Sequence, residues 1–95
     1  MMTTKRVRFF GIDEEGDQDT DLGSITWDGT NFAVQVGPHG TPLQMKRMLE
    51  YPVFLHHENG TNFVYSEDEP EAFIDNLYLH YKSWALRASK PEIVD

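Results

Sequence analysis

The chain has 95 residues, 39% of them hydrophobic and 13% aromatic, with 16 Asp and Glu against 8 Lys and Arg for a formal charge of −8. That length suits one domain, 1–95, around one core, and the charge argues against sequence-independent binding of nucleic acid or anionic lipid, which needs a basic footprint. With no cysteine, disulfides, thiol catalysis and cysteine zinc sites are excluded together.

The first ten residues carry positive charge without the apolar stretch of a signal peptide, and no apolar run nears the roughly 18 residues of a membrane span. A soluble, cytoplasmic protein is the expectation. Lys5 to Ile12 reads as a first strand, with Val7 and Phe9 on one face and Arg8, Phe10 and Ile12 on the other. Its bases Lys5, Arg6 and Arg8 are the kind that guard an edge strand, and the same edge is a candidate for pairing in a homodimer.

Asp28-Gly29 and Asn59-Gly60 are preferred type I′ hairpin turns. A two-residue loop at Asp28-Gly29 pairs Trp27 with Thr30, Ile25 with Phe32 and Gly23 with Val34. It places Ile25, Trp27, Phe32, Val34 and Val36 on one face. The second turn pairs Glu58 with Thr61, His56 with Phe63 and Phe54 with Tyr65, in strands apolar on both faces. The segments Gly29–Val34 and Gly60–Tyr65 are near copies at a spacing of 31 residues.

Each hairpin is followed by a helix signal. Thr41-Pro42-Leu43-Gln44 combines a hydroxyl N-cap, proline at the first helical position and glutamine in the capping-box place; the helix is expected to end near Glu50, before Pro52. Asp68-Glu69-Pro70-Glu71 opens a second helix. There Phe73, Ile74, Leu77, Tyr81, Trp84 and Ala85 recur at helical spacing, which predicts a helix to about Ala88. Ser89 to Asp95, the segment 89–95, carries Pro91 and little pattern and reads as a frayed tail. The order β-ββ-α-ββ-α predicts an α+β fold: a small antiparallel sheet of about five strands with two helices packed on one face.

Thirteen of the 16 acids fall between Asp13 and Asp28 or between Glu58 and Asp75, without a base in either segment; these carry −13 and the rest of the chain +5. Within the first, Asp17, Asp19, Asp21 and Asp28 stand at alternate places and at the twelfth place of an oxygen-ligand calcium loop. Leu22 occupies the place where such a loop needs glycine, and a solvated acidic loop is the competing reading. His56 and His57, adjacent on a strand, point to opposite faces, and neither they nor His39 and His80 have zinc-ligand spacing. No serine has a nucleophile-elbow context and there is no phosphate loop, so an enzyme is not expected.

The second helix carries more aromatic side chains than one face buries. Tyr78, His80, Trp84 and Arg87 are the candidate partner-binding residues, of types enriched at binding hot spots. Gly23-Ser24-Ile25-Thr26-Trp27-Asp28-Gly29, Asp68-Glu69-Pro70-Glu71-Ala72-Phe73 and Leu79–Ala88 resemble short bacterial proteins of the planctomycete type. Those have a Trp-Asp-Gly turn, an Asp-Pro-Glu-Ala-Phe helix start and a closing His-Tyr-x-Ser helix ending in Leu-Arg-Ala. The resemblance implies a compact bacterial domain and brings no activity or cofactor with it. The expected function is a small acidic protein-interaction or regulatory module whose partner presents a basic surface. The alternatives are a low-affinity calcium-binding domain and an acidic decoy of nucleic-acid phosphates.

Overall fold

The computed structural model of the protein describes residues 3–12, 18–50, 53–57, 60–80 and 86–94. Its elements are β1 (Lys5–Ile12), β2 (Gln18–Trp27), β3 (Phe32–Val36), α1 (Pro42–Glu50), β4 (Val53–His57), β5 (Gly60–Val64), α2 (Pro70–His80), β6 (Leu86–Ala88) and β7 (Glu92–Ile93). The fold is α+β, with a five-stranded antiparallel sheet and two helices. The main sheet runs β3-β2-β1-β6, with β7 also paired to β1, while β4 and β5 form a separate two-stranded sheet. The expected class and strand count hold, but the places expected for the second hairpin are taken by β6 and β7.

Alternation along β1 and β2 turns Val7, Phe9 and Ile25 toward the helices. They are fully buried against Met45 of α1 and Phe73, Ile74 and Leu77 of α2, all likewise at 0% exposure. Burial of each such side chain contributes about 1.5–3 kcal/mol, offset by the entropy of ordering it. Lys5 Nζ reaches both carboxylate oxygens of Asp75, at 3.0 and 3.1 Å, and ties β1 to α2.

A β-bulge interrupts the β1–β2 ladder. The register passes from Phe9↔Gly23 to Phe10↔Asp21, which leaves Leu22 as the extra residue. Gly23 has φ +139°, and a Cβ there would run into the Gln35 carbonyl oxygen and come within 3.0 Å of the Gly37 nitrogen. The displaced Leu22 carbonyl accepts the Gly37 N–H at 3.0 Å, and the Asp21 carbonyl accepts that of His39 at 3.0 Å. The bulge thus anchors the loop leading to α1.

That helix starts with the expected capping box: the Gln44 N–H donates to Thr41 Oγ1 at 3.2 Å, and the Thr41 N–H donates to Gln44 Oε1 at 3.0 Å. The second helix starts at Pro70 as expected and is described as far as His80; the expected continuation over Tyr81, Trp84 and Ala85 lies outside the described residues. Leu86–Ala88, expected to be helical, is a strand paired with Phe9–Gly11. An open side of β1 offers these residues a ladder, and tertiary pairing outweighs weak helical propensity. The tail expected to fray is also paired: Lys5↔Ile93 and Arg6↔Glu92 are in register, Arg6 bonds Glu92 at 2.8 Å, and the Ser89 hydroxyl accepts the Arg8 N–H at 2.9 Å.

Consequently β1 lies inside the sheet, bonded on both sides, and the edge reading of Lys5–Ile12 is corrected. Both hairpin registers also differ from expectation by two residues. The first pairs Trp27↔Phe32 and Ile25↔Val34, leaving a four-residue loop; the shift by two preserves the expected faces. The second pairs His57↔Gly60 and Phe54↔Phe63, with a connection that lies outside the described residues. Among the described residues no helix is long and apolar enough to cross a membrane.

Candidate functional site

A cavity of about 670 Å³ opens where the β2–β3 loop, the end of α1 and the turn before α2 converge. Its first wall follows from one carboxylate. Asp28 Oδ1 accepts the N–H groups of both Thr30 and Asn31 at 2.7 Å, and the Asp28 N–H donates to the Asn31 carbonyl at 3.3 Å. Gly29 completes the loop at φ +97°. This closure sets Trp27 and Phe32 opposite one another, with ring centroids 4.6 Å apart at 45°. Phe32 in turn meets the buried Phe73 ring edge-on at 5.7 Å and 79°, a favoured aromatic geometry.

The hydrogen bonds from Asn31 and then Thr30 favour the Asp28 anion and hold its carboxyl below the ordinary value of 3.8.

The second wall is Leu49 and Glu50, at the end of α1. Carbonyls in a last helical turn lack intrahelical partners, and the Ser66 hydroxyl donates to that of Leu49 at 2.9 Å. This bond pins the third wall, Tyr65 to Asp68, whose turn is closed by the Asp68 and Glu69 N–H groups donating to the Tyr65 carbonyl at 3.2 and 3.1 Å.

Tyr65 is 45% exposed. Glu50 lies 3.7 Å from Lys46 in an exposed pair, while Glu67 and Asp68 enter no ion pair with the described residues. Aromatic rings on the walls and carboxylates at the rim are the two kinds of partner that a partly desolvated cation takes. The Trp27 Nε1 atom is buried without a hydrogen-bond partner.

Of the four residues expected to hold calcium, Asp21 and Asp28 are described with their side chains, and these two are not brought together. Asp17 lies outside the described residues; Asp19 and Asp21 belong to β2, and Asp28 to the loop at its other end. At about 3.3 Å per residue, the extended backbone of β2 separates Asp21 from Asp28 by about 20 Å. Each serves the backbone instead, Asp21 by accepting the Gly23 N–H at 3.0 Å and Asp28 through the loop. No group of three or more His, Asp or Glu side chains converges among the described residues.

The expected aromatic helix face is also divided. Tyr78 and His80 are on α2, Trp84 lies outside the described residues, and Arg87 is on β6. Tyr78 is half-buried against the core, with Lys90 Nζ 5.9 Å from its ring centre. Arg87 pairs with Phe10 while its neighbour Ala88 is buried opposite Phe9, so Arg87 is on the face away from the helices. Its Nε atom is buried without a partner.

Sequence reasoning assigned Trp27 and Phe32 to an apolar face and Asp68 to the start of a helix, and missed that they line one cavity. The signal was the aromatic pair flanking Asp28-Gly29, but its neighbours across the cavity come from segments fixed only by tertiary packing. No protein-family model matches the chain, and no curated protein or solved structure is similar enough to it to indicate a relative.

Proposed function

We propose that the protein is a small cytoplasmic interaction module that captures a basic segment of a partner protein, with a Lys or Arg side chain of that segment entering the cavity beside Trp27. The observation that carries this reading is the union of Trp27, Phe32 and Tyr65 with the carboxylates of Glu67 and Asp68 around one opening. The excess of acids on this chain favours encounter with a cationic partner. A cation over an aromatic face contributes about 0.5–2 kcal/mol, and each exposed carboxylate pair about 0–1 kcal/mol. The cavity alone therefore reaches at most about millimolar affinity, which corresponds to about 4 kcal/mol.

Titration of the ¹⁵N-labelled protein with a tetra-arginine peptide tests this. The Trp27 indole N–H, assigned with a Trp27→Phe variant, and the amides of Tyr65 to Asp68 are expected to shift. A Glu67→Gln/Asp68→Asn double variant is expected to bind several-fold more weakly. Absence of these shifts at millimolar peptide, or an unchanged affinity in the double variant, refutes the reading.

A further inference from the structure

We infer that β3 is the docking rail for that partner. The bound segment adds as an extended sixth strand along the outer side of Phe32–Val36, and its basic side chain drops into the cavity at the Phe32 end. The inference rests on the cavity reading for the base and on the sheet for the backbone.

Among the described residues β3 ends the main sheet, paired with β2 on one side only, so half of its backbone donors and acceptors face outward for a further ladder. It is straight, with five consecutive pairs to β2 and no register shift. Its sequence, Phe-Ala-Val-Gln-Val, contains no charge and no proline. The opposite margin shows what protection looks like in this molecule. There β6 and β7 are three and two residues long, and Arg87, Lys90, Pro91 and Glu92 crowd them. Short strands, charges and proline are the usual guards of an edge, and β3 has none of them.

Phase fixes the chemistry of the segment. Phe32, Val34 and Val36 share the face on which Ile25 is buried, and Val34 and Val36 are each 39% exposed at the sheet margin. Residues directly opposite one another on paired strands present side chains to the same face. A base opposite Phe32 therefore requires apolar residues two and four places away, opposite Val34 and Val36. The recognised pattern is base-x-apolar-x-apolar, or its reverse for the other strand direction. Phe32 belongs to both β3 and the cavity wall, so rail and cavity are continuous. A second copy fits less well: its β3 has no base to offer and each copy carries −8.

The test uses synthetic seven-residue peptides with arginine followed two and four places later by valine and with threonine between, together with the reversed order. N-methylation of each amide in turn removes one donor without altering charge. Expected are at least ten-fold weaker binding for N-methylation at alternate positions only, and slowed hydrogen exchange at β3 amides on binding.

Failure of both peptide directions to bind overturns the inference, as does indifference to N-methylation at every position. A dimer by sedimentation whose β3 amides are already protected without peptide also overturns it, in favour of a second copy on the rail. Binding that depends on N-methylation but not on arginine supports the rail and refutes the cavity reading. Dependence on arginine alone does the reverse.

Discussion

Replacing Gly23 by alanine tests the bulge on which the β2–β3 end of the sheet depends. An L-residue at φ +139° sits in sparsely populated conformational space, at about 1–3 kcal/mol. The new methyl group also meets the Gln35 carbonyl oxygen, and relief requires the strands to part where Gly23 opposes Val36. That movement weakens the Gly37 N–H bond to Leu22, and each backbone bond lost adds about 1 kcal/mol net. The expected loss is about 2–4 kcal/mol, against a total stability of about 5–14 kcal/mol for a domain of this length. At about 4–8 °C per kcal/mol, Tm falls by about 8–32 °C while the fold persists at 25 °C. Urea denaturation followed by circular dichroism gives the first quantity and a thermal scan the second. Hydrogen exchange locates the damage: the Gly37 and His39 amides are expected to exchange faster, and those of Thr30 and Asn31 at the far end to remain as they are. A loss below about 1 kcal/mol, or faster exchange at Thr30 and Asn31 instead, refutes the bulge.

Asp28→Asn is expected to change the acid dependence of stability. The wild-type carboxyl is depressed below 3.8 by the Asn31 and Thr30 N–H groups, so its contribution is fully present above the unfolded value and is lost as pH falls through the lower folded value. The stability difference between wild type and Asp28→Asn should be constant at neutral pH and shrink below about pH 4; parallel curves down to pH 2 contradict the loop. Two substitutions on α2 separate burial from charge. Phe73→Ala removes a fully buried ring and should cost about 3–5 kcal/mol, whereas Asp75→Asn breaks a largely solvated pair with Lys5 and should cost less than about 1 kcal/mol. Comparable losses in urea denaturation show that the helix is seated otherwise.

Period-2 patterns and cap chemistry made β1, the faces of β2 and β3, and both helix starts legible. These depend on residues near one another in the chain, as the Thr41 and Gln44 capping box illustrates. Register was harder, because a shift of two residues leaves every face unchanged and the pattern cannot register it. In the first hairpin the deciding term was the Asp28 carboxylate, which draws Thr30 and Asn31 into the loop. The near-copied segments show the limit plainly: Gly29-Thr30-Asn31 is loop, while Gly60-Thr61-Asn62 is strand. The expectation of helix at Leu86–Ala88 misled because that segment has a distant partner in β1. The cavity escaped for the same reason, being built from three segments whose meeting depends on the core.

The interior position of β1 bears on how the chain folds. Among the described residues, its second side is closed by Leu86–Ala88 and Glu92–Ile93, through bonds such as Arg6 to Glu92 across 86 residues. Contacts so remote in sequence incur their closure entropy before they return any stabilisation. During synthesis, therefore, the N-terminal hairpin has a bare second side until those downstream residues emerge, and nascent chains are open to strand pairing with one another in that interval. Lys5, Arg6 and Arg8, which guard no edge in the finished sheet, lie along that bare side while it waits.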